Sequence, residues 1–205
     1  NQMIFYSKSQ KTFFDDEIHE QLPPDAKEIT AEQHAQLLAA LNLGHHIADD
    51  LAVHPRPSAA HEWVDGAWAE NKELAAEIKA AALAKARAGR LAALNAAAQA
   101  YIDAAAETDK LPAFEVQTWP LQAVEAKAWA ADNAVPTPVL DGIAAARGVP
   151  VEQLKAAALR KTLAYEALTT SIAGQRQALQ SKIEAAKTQA ALDKIVIAFT
   201  APEAV

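Results

Sequence analysis

Leu91-Ala92-Ala93-Leu94-Asn95-Ala96-Ala97-Ala98-Gln99-Ala100-Tyr101-Ile102-Asp103-Ala104-Ala105 decides the fold class. Leu91, Leu94, Ala98, Tyr101 and Ala105 step by three and four residues, which is one apolar stripe along a helix. The stretch lies within 69–107, a span with no Pro and one Gly, Gly89. The chain holds 52 Ala in 205 residues, so about half of its 51% hydrophobic content is small. Alanine is the best helix former and buries little area. The expectation is a predominantly helical chain whose faces approach closely over a thin core, and hence either modest stability or burial against a partner, self-association included.

Outward from that helix, Leu111-Pro112 is a stop, because proline restricts the residue before it. A shorter helix is expected over 120–133, with Pro120 in its first turn and Trp119 as a packing anchor. Val135-Pro136-Thr137-Pro138 is a rigid bend, and 139–147 reads as a short helix ending at Gly148. From Pro150 a long run reaches Lys194. Tyr165, Leu168, Ile172, Leu179, Ile183 and Ala186 give it heptad-like spacing. Unbroken, it would span roughly 65 Å, with Gly174 and Thr188 as weak points. Two long helices joined by two short ones predict an antiparallel helical bundle. Residues 200–205 read as a frayed tail.

The first third of the chain is different. Residues 1–66 carry 4 Lys+Arg against 11 Asp+Glu, a net of −7, whereas 67–205 carry 15 against 15. All 6 His precede residue 62. A domain boundary is therefore placed near residue 66, giving a small α+β domain (1–66) followed by an Ala-rich helical bundle (67–205). Met3-Ile4-Phe5-Tyr6 and Lys11-Thr12-Phe13-Phe14 read as two strands of a hairpin. Lys27-Glu28-Ile29 is a third strand candidate. Thr30 and Gln33 form a capping box opening a helix with Leu37, Leu38 and Leu41, and Gly44 stops it. The stretch 45–54 is ambiguous, and 62–68, with Asp65-Gly66, suits either a small hairpin or the approach to the next helix. Asn1 and Gln2 precede the only Met, Met3, and read as a remnant ahead of the natural start.

Several function classes lack sequence support. No apolar run reaches the roughly 18 residues of a membrane helix, and no secretory signal pattern is present. Cys is absent, so thiolate metal sites and a Cys nucleophile are excluded. The net charge of −7 argues against phosphate-bound nucleic acid. No GxGxxG, GxxxxGK[ST] or GxSxG pattern occurs. Lys85, Arg87, Arg90 and Lys155, Arg160, Lys161 are basic patches balanced by nearby acids, and read as solvated helix faces. His45, His46, His54 and His61 with Asp49 and Asp50 offer metal-compatible ligands, the basis of a metal-dependent enzyme as a third class of reading. Adjacent histidines diverge in a strand and lie about 100° apart on a helix, so solvated or loop histidines are expected instead. Asp15, Asp16, Glu17 and Glu20 read as an acidic face. No catalytic residue, metal or cofactor is expected.

Aromatics carry the functional lead. Phe5, Tyr6, Phe13 and Phe14 are many rings for one hairpin, which cannot bury both faces by itself. Trp63 and Trp68 are of a type enriched at interface anchors. Core packing is the plain reading of these six residues, and partner contact is the functional one. The hairpin edge also offers backbone pairing.

Phe5-Tyr6-Ser7, Phe13-Phe14-Asp15-Asp16-Glu17-Ile18-His19, Pro23-Pro24-Asp25-Ala26, Glu28-Ile29-Thr30 and Gln33-His34-Ala35-Gln36-Leu37-Leu38 together resemble the start of bacteriophage tail fibre assembly proteins. These are the tail fibre chaperones of Mu-like and lambda-like phages and prophages. The resemblance covers about residues 3–44. Trp119-Pro120-Leu121, Trp129, Asp132 and Pro136-Thr137-Pro138-Val139-Leu140-Asp141 resemble a helical segment of phage tail proteins. The resemblance implies a non-enzymatic chaperone that binds the C-terminal tip of the trimeric tail fibre in the bacterial host cytoplasm. In some phages such proteins stay on the virion tail. The long helical region departs from that family, which leaves a structural component of the tail tip or baseplate as the alternative.

Overall fold

A computed structural model describes residues 3–203. Asn1 and Gln2, read above as a remnant, and Ala204 and Val205 of the expected frayed tail lie outside the described residues. The fold is α+β and predominantly helical. Two compact units divide at Ala81/Ala82, inside a continuous helix rather than at the charge step near residue 66. The alanine-rich helix runs through that point without a break.

The first unit is built on a three-stranded antiparallel sheet of order β2-β1-β3. Its strands are β1 (Ile4–Ser7), β2 (Thr12–Asp15) and β3 (Lys27–Ile29). Helix α1 (Ala31–Asn42) follows β3 directly. Both halves of the capping box form: Gln33 N–H donates to Thr30 Oγ1 (3.1 Å) and Thr30 N–H to Gln33 Oε1 (2.9 Å). The helix ends where Gly44 (φ 73°) donates to Leu41 O (3.0 Å) and His45 to Ala40 O (2.9 Å). That crossed pair needs a left-handed residue, which glycine supplies without a Cβ penalty. Tyr6, Ile29, Leu37, Ala40 and Ile47 are the buried core, with Ile4, Phe13, Leu41 and Leu51 packed on it.

The ambiguous stretch resolves into a two-stranded ladder of β4 (His46–Ile47) and β5 (Val53–His54). A hairpin, β6 (His61–Val64) and β7 (Ala67–Glu70), turns on Asp65 and Gly66, both with positive φ (49° and 81°). Those angles belong to the turn that an Asp-Gly pair favours.

Helix α2 (Lys72–Ala106) crosses the division. The second unit continues with α3 (Ala113–Ala131), α4 (Pro138–Arg147), α5 (Val151–Ala185) and α6 (Gln189–Asp193). Arg87 Nη2 donates to Ala186 O (2.8 Å) and Arg176 Nη1 to Asn95 Oδ1 (3.0 Å). Higher positions on α2 thus meet lower positions on α5, so the two helices are antiparallel. One core contains Leu94, Ile183, Ala186 and Leu192, and a second contains Ala126, Leu140 and Ala158.

Four expectations are corrected here. The third helix starts at Ala113, so Pro120 sits inside it. Helix formers on both sides and the edge-on packing of Trp119 on Tyr165 (5.3 Å) outweigh the lost hydrogen bond. The long helix ends at Ala185 instead of Lys194, because Thr188 caps a new helix by accepting from Ala191 N–H (3.1 Å). Its 35 residues span about 52 Å. The tail is tied down as far as Thr200, whose backbone exchanges two hydrogen bonds with the Gln175 amide (2.9 and 3.0 Å). Finally, part of the basic patches is structural. Arg87 and Arg90 are partly buried and donate to the carbonyls of Ala186 and Ile195. Lys155 is buried between Asp141 (3.4 Å) and Glu152 (3.7 Å).

Candidate partner interface

Alternation along a strand sends successive side chains to opposite faces. Tyr6 is the Cα partner of Phe13, and Phe5 is the partner of both Phe14 and Glu28. The four aromatics therefore divide in two pairs. Tyr6 (2% exposed) and Phe13 face α1, their rings 5.3 Å apart, and Phe13 also meets His34 edge-on at 4.5 Å. Phe5 and Phe14 lie on the opposite face, half-buried and outside the core cluster. One ring, His19, stands edge-on to Phe14 at 5.1 Å. Nearby in sequence, Ile18 is 73% exposed, and Met3 and Leu22 are exposed as well. Of the hairpin residues expected to reach a partner, Phe5 and Phe14 lie on the face away from α1, while Tyr6 and Phe13 pack toward it.

The edge of β2 is partly closed. Asp16 N–H donates to Met3 O (3.3 Å), which fixes Phe5 and Phe14 as a hydrogen-bonded pair and turns the backbone of Phe13 and Asp15 outward. At Asp15 the turn that follows occupies both groups. Its N–H donates to His19 Nδ1 (3.2 Å), and its carbonyl accepts from the N–H of Ile18 (3.2 Å) and His19 (2.9 Å). Strand addition is thus blocked at one end of this edge.

Trp63 and Trp68 spend their rings within the unit. Trp63 stacks on His46 (3.8 Å, 7°), lies 5.2 Å from His54 and meets Trp68 edge-on at 5.4 Å. Trp68 Nε1 donates to His54 O (3.2 Å). Together these contacts fasten the β6–β7 hairpin to the β4–β5 ladder. Burial is the main cause that lowers the His46 pKa; Lys8, His54 and Lys11 push the same way, and Asp49 opposes.

The histidines are structural in distinct ways. His45 Nδ1 accepts from Arg56 N–H (2.8 Å), and His61 Nδ1 bonds Ser58 Oγ (2.7 Å). Among the described residues, no three His, Asp or Glu side chains are grouped to hold a metal ion. Sequence reasoning missed the aromatic role of His19, His34, His46 and His54. Only His19 lies close in sequence to its ring partner, Phe14; His34 and His46 meet Phe13 and Trp63 across intervening strands, so no local signal marked them.

A pocket of about 520 Å³ opens beside the sheet, lined by Tyr6, Lys8, Ser9, Asp25, Lys27 and Asp49 among others. Its charges are mutually engaged. Lys8 Nζ pairs with Asp49 Oδ1 (2.5 Å), and Lys27 Nζ donates to the Asp49 carbonyl. Asp25 accepts from Ser9 N–H (2.7 Å) and Ser7 Oγ (2.7 Å), which hold its carboxyl below the usual range. Burial, and then Asp25, push the Tyr6 phenol up. Carboxylate and phenol are thus driven apart in pKa, and neither is poised to exchange a proton near neutrality.

In the second unit, α3 exposes Phe114 (70%), Leu121 and Val124. Among the described residues, no helix is long and apolar enough to cross a membrane. Residues 160–198 match the model of the HI1402 helical domain family, a span running from α5 through α6 to the strap over Leu94. The chain matches no curated protein and no solved structure.

Proposed function

We propose that this protein is a non-enzymatic assembly factor, a tail fibre assembly chaperone that binds the tail fibre tip through the outer face of its N-terminal sheet. The observation that carries the reading is the Phe5–Phe14 pair, held side by side on a sheet face that α1 leaves open. Apolar surface of this kind, rimmed by polar groups, is what a protein partner covers. The resemblance over residues 3–44 supplies the partner class. Fibre tips are β-rich and aggregate before they trimerise, and a chaperone covering their apolar surface suppresses that.

The test is co-expression with the tail fibre protein of the neighbouring gene, followed by size-exclusion chromatography with light scattering. A soluble fibre trimer that forms only with this chain is the expected result. Fibre that folds alone, with this chain eluting separately, removes the chaperone reading. It leaves the structural tail-tip component, for which the exposed Phe114, Leu121 and Val124 of α3 are the surface to examine.

A further inference from the structure

The row of Cα partners across the open sheet face is Phe14–Phe5–Glu28. Directly opposed side chains on one face lie about 5 Å apart at Cβ, so a carboxylate borders the aromatic pair. One step along the same face, Asp16 pairs with Met3, and Met3 N–H donates to Asp16 Oδ1 (2.8 Å). Cations avoid this face. Lys27 is the partner of Tyr6 and points to the other side, where it and Lys8 are both held by Asp49. Between Thr12 and Ala26 there is no Lys or Arg, and there are five acids. Among the described residues, Asp16, Glu17, Glu20 and Glu28 make no ion pair.

An aromatic pair bordered by unneutralised carboxylates has a definite complement. An aliphatic stem packs on the rings, a cationic head is drawn to the ring faces, and the same head meets the carboxylate. Arginine combines all three, and its planar guanidinium also bonds carboxylates in pairs. Asp15 closes one end of the β2 edge, and the complement described is one of side chains on the face.

We infer that the Phe5–Phe14–Glu28 face docks a protein segment presenting an arginine flanked by apolar residues. The inference rests on the proposed function only for the identity of the protein that carries this segment. Two measurements test it, both on the full chain. In the first, acetylated Leu-Arg-Leu amide is titrated into ¹⁵N-labelled protein, with the Leu-Gln-Leu and Leu-Glu-Leu peptides as comparisons. The expected result is shift changes confined to residues 3–7, 12–19 and 27–29, at least threefold larger for the arginine peptide. Equal shifts for all three peptides, or shifts elsewhere only, overturn the inference.

In the second, affinity for the fibre protein is measured for the parent, Glu28→Gln and Phe14→Leu, at about 50 and 500 mM NaCl. Both variants leave the α1-packed face intact. Glu28→Gln is expected to weaken binding about fivefold at low salt and to flatten the salt dependence. Fibre that binds equally to parent and Glu28→Gln overturns the inference while leaving the chaperone reading in place. A fibre that never binds, with the arginine peptide still seated on the face, does the reverse.

Discussion

Adjacent residues Phe13 and Phe14 carry identical side chains in one strand, yet truncating them will have opposite consequences. Phe13→Ala removes a ring packed on the α1 core, with ring contacts to Tyr6 (5.3 Å) and His34 (4.5 Å). A fully buried Phe→Ala costs about 3–5 kcal/mol, and aromatic pairs add about 0.5–1.5 kcal/mol each. Phe13 is partly buried, so about 3 kcal/mol is expected. Phe14 has one ring neighbour, His19, and lies outside the core, so about 1 kcal/mol is expected. The assay is hydrogen exchange at the β1 amides of Ile4 and Tyr6, which face β3. At 1.36 kcal/mol per decade, Phe13→Ala should speed exchange there by about 150-fold and Phe14→Ala by about fivefold. Fibre binding should show the reverse order once the Phe13→Ala sample is corrected for its unfolded fraction. Equal exchange in the two variants would refute the assignment of faces, and with it the proposed partner surface.

Further outcomes follow from the same geometry. Thr30→Ala removes the oxygen that accepts from Gln33 N–H, and should cost about 1 kcal/mol, read as faster exchange in the first turn of α1. Leu94→Ala opens a cavity against Ile183 and Leu192, where Leu94 is 0% exposed; about 3 kcal/mol should be lost, and limited proteolysis should cut first within 194–200. His46 has its pKa lowered in the folded state, so the unfolded chain takes up a proton first as pH falls. Its contribution is therefore intact above about pH 6.5 and declines as pH drops below it. The Trp63 environment should melt at lower temperature at about pH 5 than at pH 7.5, and His46→Phe should flatten that dependence. Asp49 is lowered by Lys8, so its contribution is lost only in more acid solution, as pH falls through the carboxylate range.

Local chemistry was legible wherever one residue type settles the geometry. Thr30 with Gln33 and Gly148 each specify a cap that neighbouring backbone alone can satisfy, and each forms as read, while Asp65-Gly66 takes the hairpin of its two readings. Pro120 misled because its effect on a helix depends on what packs around it, and Trp119 against Tyr165 is a contact between residues far apart in sequence. Long-range satisfaction was likewise invisible for Arg87 and Arg90, whose acceptors lie about 100 residues away. On a helical wheel they are cations among other cations, whereas in the fold they bond the backbone of the strap that closes the Leu94 core.

The candidate interface sits between these extremes. That the hairpin held more aromatic surface than it could bury was arithmetic on Phe5, Tyr6, Phe13 and Phe14. Which two would be left over depended on register, since a slip of one residue exchanges the faces. The register is Tyr6 opposite Phe13, and the deciding partner is Ile29, which faces Ile4 and belongs to a strand contributed from beyond the hairpin. Once Ile4 and Ile29 share a face with Tyr6, α1 is drawn to that side by its own Leu37 and Ala40. Phe5 and Phe14 are then left with Glu28 as their neighbour. The candidate surface is thus the remainder of a core-packing decision, and its acidic border comes from the same strand that made the decision.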